Sequence, residues 1–318
     1  MIRRLVFIGS SAFAVPSLQL LHGSKDHSPL LVITQPPRPQ GRHLKTIPTP
    51  VGAYAIEHGI PFIHPDNVND EATINLVRDL DPDLVVTVSY GGMIGRKLRQ
   101  TARLGAINLH PSLLPQLRGA TPIQTALLNG MTETGITIFK LNARLDAGAI
   151  YRQQTYPIDT GDNYTSLHDR LAIAGARMLP DLLSTSDLHT EIPLPQNDSA
   201  ATYSRKITRA DLLIDWQEPA GHIIDRIRAF SLEPGAYQIL RGKMLKIMRC
   251  EATNDAAQDI PGSIQNIVKN TGWSINCADC QILVTSVQPA GKPIMDAWAF
   301  HLGARLMPGE LFFRTNDL

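Results

Sequence analysis

The 318-residue sequence is poor in cysteine, with three, and in aromatic residues, at 6%, and it has no surplus charge, since 30 Lys+Arg face 29 Asp+Glu. Three thiols cannot build a disulfide scaffold, and they suit a reducing cytoplasm, which is the expected location. A formal charge of +1 excludes bulk electrostatics as the force drawing the chain onto nucleic acid or membrane, so charge must be read locally. No apolar run approaches the ~20 residues of a membrane span. Arg3-Arg4, Leu5–Ile8 and Ala12-Phe13-Ala14 imitate a secretory signal. The apolar run stops at Gly9, however, so strand, turn and helix fit better. The glycine fingerprint of dinucleotide sites, the G-x-S-x-G elbow and the H-E-x-x-H zinc signature are also missing, which removes support for those chemistries. Cys277-Ala-Asp-Cys280 lacks a second ligand pair. It reads as two partly buried thiols on a turn, and no metal is expected.

What is present is an alternation of short apolar runs and helical patterns. Strands are expected at Leu5–Ile8, Pro29–Thr34, Leu84–Val88 (apolar except for Thr87), Ala106–His110, Ile136–Leu141 and Ile150–Pro157. Helices are expected at Ala14–Leu21, Val51–His58, Glu71–Leu80, Ile123–Leu128 and Tyr164–Leu183. Strands without polar alternation are covered on both faces, so the first half reads as a Rossmann-like α/β domain with a mainly parallel sheet. Between Ser184 and Ala201 the pattern gives way to Ser, Thr, Asp, Pro and Asn, the composition of a linker. Beyond it, a helix near Ile223–Phe230 is followed by short strands at Ala236–Leu240, Leu245–Arg249, Gly272–Asn276 and Gln281–Val287, which suggest a small β-barrel. The expected division is 1–188 catalytic, 189–206 linker and 207–318 barrel.

The densest chemistry lies in Gly105–Gly119. On a strand, residues two apart share a face, so Asn108 and His110 project together at its carboxyl end, where ligands of open α/β sheets sit. Pro111 and Pro115 forbid a regular helix after them. Leu145-Asp146-Ala-Gly148 follows another expected strand. Singly, each of these residues has a commoner role as cap, packed imidazole or turn; together, Asn108, His110 and Asp146 form a candidate triplet. Residue chemistry alone leaves several reactions open.

Asn108-Leu-His110-x-Ser112-Leu-Leu-Pro115-x-x-Arg118-Gly119, followed by Leu145-Asp146-x-Gly148, resembles the signature of formyltransferases that use 10-formyltetrahydrofolate. Within that family, Arg118–Gln124 and Glu133–Thr137 are similar to the enzymes acting on methionyl-tRNA rather than the shorter ones acting on glycinamide ribonucleotide. Further resemblances, such as Thr34–Pro39, Tyr203–Ile207 and Gln288–Lys292, extend over nearly the whole chain. The resemblance implies that Asn108, His110 and Asp146 are catalytic. It places the folate co-substrate against Ser112, Leu113, Leu114 and Pro115, with the pterin between Ser89, Tyr90 and Gly91 and the turn containing Asn142. It implies an OB-like fold for the carboxyl-terminal barrel. Transfer of formyl to an amine passes through a tetrahedral intermediate. That species needs a donor for its oxyanion, a role for Asn108, and a proton route, a role for His110 oriented by Asp146.

No acid occurs between Asp26 and Glu57, where Arg38, Arg42 and Lys45 occupy a Pro- and Gly-rich stretch. From Ser204 to Cys250, nine cations, among them Lys206, Arg209, Lys243 and Lys246, face five acids. Such patches can track a phosphate backbone, and the resemblance makes an initiator methionyl-tRNA the expected partner of a monomeric enzyme. An amino-sugar or nucleotide-sugar formyltransferase is the main alternative, and a catalytically silent RNA- or folate-binding module is the other.

Overall fold

In the computed structural model, the described residues are 4–40, 45–185, 188 and 190–312. Their contacts divide into two compact units. The first holds the described residues up to Pro122, Glu133–Pro157 and His168–Arg205; the second holds Ile123–Thr132, Ile158–Leu167 and the described residues from Lys206 onward.

The strands of the first unit are β1 (Leu5–Gly9), β2 (Pro29–Ile33), β3 (Arg38–Gln40), β4 (Lys45–Ile47), β5 (Phe62–Ile63), β6 (Leu84–Val88), β7 (Ala106–His110), β8 (Arg118–Gly119), β9 (Glu133–Lys140), β10 (Ile150–Pro157) and β11 (Tyr203–Ser204). Seven form one sheet in the order β10-β9-β7-β6-β1-β2-β5. The five strands from β7 to β5 run parallel, and β9 joins β7 antiparallel, as β10 joins β9. The sheet is therefore mixed at one edge. β1 and β6 are buried along their whole length, which is why they show no polar alternation.

Helices α1 (Val15–His22), α2 (Pro50–Glu57), α3 (Glu71–Asp79), α4 (Arg96–Arg99), α5 (Pro122–Leu128) and α6 (Tyr164–Thr185) connect the strands. Local chemistry sets their starts. Thr49 Oγ1 accepts from Gly52 N at 3.0 Å ahead of α2, and Asp70 Oδ1 accepts from Thr73 N at 2.6 Å ahead of α3.

The second unit carries α7 (Ala220–Phe230), β12 (Ala236–Leu240), β13 (Lys243–Ala256), β14 (Ile264–Val268), β15 (Gly272–Asn276), β16 (Cys280–Pro289), β17 (Met295–Asp296) and α8 (Ala297–Ala304). The strands pair antiparallel along β12-β13-β16-β15-β14, with β17 on β16. Register shifts interrupt the β13–β16 ladder, and such irregularities bend and twist strands. Ile223, Ile227 and Phe230 of α7 enter the same buried cluster as Trp273, Ile275, Ile282 and Val284. Each such side chain contributes roughly 1.5–3 kcal/mol. β14 and α8 lay outside the sequence expectations. β14 carries polar residues without clean alternation, and α8 has too few polar residues to show an amphipathic stripe.

Candidate active site

The site forms at the carboxyl end of β7. Register pairs Asn108 with Thr87 of β6 and His110 with Thr137 of β9. Asn108 Oδ1 lies 2.8 Å from the Thr87 hydroxyl, which also lies 2.9 Å from the Ile107 carbonyl oxygen. With Oδ1 accepting there, the Asn108 amide nitrogen has no partner among the described residues and remains able to donate. Thr87 is the lone polar residue of an otherwise apolar buried strand, and that position was the signal for it.

His110 is only 5% exposed. Its Nε2 lies 3.0 Å from the Leu117 carbonyl oxygen, which can only accept, so Nε2 carries a proton. The other nitrogen, Nδ1, faces Asp146 Oδ2 at 3.8 Å. That is beyond a direct hydrogen bond but close enough for the carboxylate to stabilise positive charge on the ring. Asp146 Oδ2 also accepts from the Gly119 backbone N–H at 2.8 Å. The backbone N–H of Gly119 and the carbonyl of Leu117 were not readable as site groups, because backbone roles depend on the loop's path.

The Asp146 turn is tightly built. Asp146 has φ +47°, in the left-handed region. At Gly148 a Cβ would run into the Lys140 carbonyl oxygen, so no other residue fits without moving the strand end. Gly119 has φ +122°, and a Cβ there would strike the Ser204 carbonyl oxygen.

The residues expected around the folate lie on two segments. Ser112 is fully buried; its hydroxyl donates to the Gln116 carbonyl at 2.6 Å, and its own carbonyl accepts from Thr137 Oγ1 at 2.7 Å. Leu114 N donates to Thr137 Oγ1 at 3.2 Å, and the Leu114 carbonyl accepts from Gln153 Nε2 at 2.9 Å. Leu113 is half-buried over Gly135, and the Pro115 carbonyl accepts from Thr202 N at 3.3 Å. On the other segment, the Ser89 carbonyl accepts from Ser10 N at 3.2 Å, and the hydroxyls of Ser11 and Ser89 are 2.7 Å apart. Gly91, at φ +82°, has open space around it. Tyr90 is buried in the core with Ile8 and Ile33, and burial pushes its phenol up. Its ring is thus packing, which leaves backbone atoms for a ligand. Asn142 Oδ1 accepts from Arg144 N at 2.8 Å. Fixed backbone edges beside apolar walls can hold a flat heterocycle bearing donors and acceptors.

Of the cations expected to meet RNA, Arg38 and Lys45 are exposed on the β3–β4 pair, whereas Arg42 lies outside the described residues. Lys206, Arg209 and Lys243 are exposed, and Lys246 lays its stem beside Gly235. Of the nine cations counted from sequence, at least three are committed to ion pairs: Arg226 with Glu218, Arg228 with Asp225 and Arg241 with Glu310. Among the described residues, no cluster of three His, Cys, Asp or Glu is placed to hold a metal, and no helix is long and apolar enough to cross a membrane.

Comparison with known proteins identifies the family. Residues 3–183 match the formyl transferase family, and residues 206–305 match the formyl transferase C-terminal domain. Methionyl-tRNA formyltransferase from Moorella thermoacetica is 39% identical over 308 residues, 97% of this chain and 98% of the relative. The one from Methylococcus capsulatus is 40% identical over 310 residues, 96% of this chain and 98% of the relative. Among solved structures, methionyl-tRNA formyltransferase from Clostridium thermocellum matches with a TM-score of 0.57 at 16% identity, over 80% of this chain and 95% of that one. An N-formyltransferase from Helicobacter canadensis, solved with folinic acid and dTDP-3-aminofucose, matches with a TM-score of 0.65 at 19% identity, over 91% of this chain and 100% of that one. Those two likenesses speak to the fold alone. With relatives at about two-fifths identity over nearly their full length, the chain belongs to the methionyl-tRNA formyltransferase family.

Proposed function

We propose that this protein transfers the formyl group of 10-formyltetrahydrofolate to the α-amino group of initiator methionyl-tRNA, giving N-formylmethionyl-tRNA in the cytoplasm. The observation that carries the reading is a family member whose Asn108 amide nitrogen is left open while His110 Nδ1 faces Asp146 across 3.8 Å. The neutral amine attacks the formyl carbon, and the C–N bond to the folate nitrogen then breaks. Asn108 Nδ2 donates to the oxygen as negative charge develops on it, a contribution on the order of 10²–10³ in rate for a single donor. His110 Nδ1 takes the proton leaving the attacking nitrogen. Asp146 stabilises the resulting imidazolium, and the proton goes on to the departing folate nitrogen. The transfer is direct; trapping a formylated side chain during turnover would contradict it.

Ser112–Pro115 and the Ser89–Gly91 segment, with Asn142, are the proposed folate contacts. Arg38, Arg42, Lys45, Lys206, Arg209, Lys243 and Lys246 are the proposed contacts to tRNA phosphates. The division into a catalytic region 1–188, a connecting segment 189–206 and a tRNA-binding region 207–318 goes with this reading. The test offers the purified protein 10-formyltetrahydrofolate with charged initiator tRNA, with an amino-sugar nucleotide, or with water alone. Formyl-methionyl-tRNA should accumulate, with affinity for tRNA falling steeply as salt rises. Formylation of the sugar, or release of formate only, would overturn the assignment.

A further inference from the structure

The stretch that reads as a linker by composition is stitched onto both walls of the catalytic site within the first unit. Gln196 uses its whole hydrogen-bonding capacity there. Its Nε2 donates to the carbonyls of Asp146 at 2.9 Å and Gly148 at 2.7 Å. Its Oε1 accepts from Arg118 Nε at 3.0 Å and Nη2 at 2.7 Å, and Arg118 is only 2% exposed. Six residues on, Thr202 Oγ1 accepts from Leu117 N at 2.8 Å. The carbonyl of the same Leu117 receives His110 Nε2.

The two contacts share a form. Leu117 has φ +56° and Asp146 has φ +47°, so both are non-glycine residues in a conformation that persists only where the surroundings over-determine it. Each is held by one side chain from the 190–205 stretch, and each sets a catalytic group: Leu117 through its carbonyl to His110, Asp146 by its own carboxylate. Spacer residues have no need of a saturated amide against a buried guanidinium. We infer that Gln196 and Thr202 are positioning residues, and that the stretch is a strap holding His110 and Asp146 at their working separation. This rests on the catalytic roles proposed above.

Three substitutions separate the strap from ordinary loop packing. Gln196→Glu keeps the length and the acceptor for Arg118 but loses the protons given to the two carbonyls. Thr202→Val keeps the shape without the hydroxyl, and Thr202→Ser restores the hydroxyl. For each, kcat and KM for 10-formyltetrahydrofolate are measured in methionyl-tRNA formylation, with the thermal midpoint and the His110 ring titration followed by NMR without substrates. A reacting group displaced by about 1 Å costs on the order of 100-fold. Gln196→Glu and Thr202→Val should therefore lower kcat about 10- to 100-fold, with KM and the melting transition little changed, and both should move the His110 titration. Thr202→Ser should behave as the unsubstituted protein. The inference is overturned if the first two variants keep full kcat and an unmoved titration, if Thr202→Ser is as impaired as Thr202→Val, or if activity falls only in step with unfolding. Absence of formylation by the unsubstituted protein would instead defeat the functional reading, while the NMR titrations would still decide the strap.

Discussion

Two groups of buried or half-buried reactive side chains in this molecule have opposite characters. At the end of β7, His110 and Asn108 each have one polar atom occupied, by Leu117 and by Thr87, while the other faces the site. In the second unit, Cys250, Cys277 and Cys280 carry free thiols between and beside β13, β15 and β16, and burial raises all three. The Cys277 thiol is pushed up to about 12 by burial first and by its neighbours Cys280 and Asp279 second. Burial alone silences a nucleophile, because the charged form loses water and gains nothing in return. Burial that satisfies one atom and leaves its neighbour open keeps that second atom available, as the proposed roles of His110 and Asn108 require.

The largest expected effect breaks the active side of that contrast. His110→Ala or Asp146→Asn should lower kcat by about 10²–10⁴-fold with tRNA affinity retained, read by steady-state formylation and filter binding. Next comes the turn that carries Asp146. Gly148→Ala should destabilise the protein by about 1–3 kcal/mol in urea unfolding and depress activity, because its methyl meets the Lys140 carbonyl. Gly161→Ala, where nothing stands in the way, should unfold like the parent. On the silent side, Cys280→Ala should leave kcat unchanged, and alkylation of the three thiols at pH 8 should run roughly tenfold or more slower than for a free cysteine. Rapid labelling accompanied by loss of activity would erase the distinction.

The smallest effect concerns acid. Hydrogen bonds from Arg118 first and Arg144 second hold the Asp198 carboxyl below its ordinary range. Its folded value is thus depressed, so its stabilising contribution is present above the unfolded value of about 3.9 and is lost as pH falls through the folded one. Amides around residues 196–200 should be protected near pH 6, and their protection relative to the intrinsic exchange rate at each pH should fall only in that acidic window.

The parallel part of the sheet was legible because doubly covered strands are written as nearly unbroken apolar runs, as in Leu5–Ile8. The triplet was legible because Asn108 and His110 sit two apart on such a strand. The antiparallel run of β9 and β10 was less so, since strand direction is set by the connections rather than by the strand's own residues. The supports of the site were hidden for a related reason. Gln196 and Thr202 act through main-chain atoms of residues 50 and 85 positions away, and their neighbourhood is rich in the residue types that also make linkers. The surplus of cations from Ser204 to Cys250 overstated the free charge, because Arg228 pairs with Asp225 one turn back on α7, Arg226 reaches Glu218 just ahead of that helix, and Arg241 reaches Glu310.

The most direct test is the single-turnover rate of formyl transfer to initiator methionyl-tRNA, with both substrates saturating, for the parent protein and for Asn108→Ala. A fall of about 10²–10³-fold with both substrates still bound is expected if the Asn108 amide stabilises the developing oxyanion. An unchanged rate would contradict direct transfer steered by this amide.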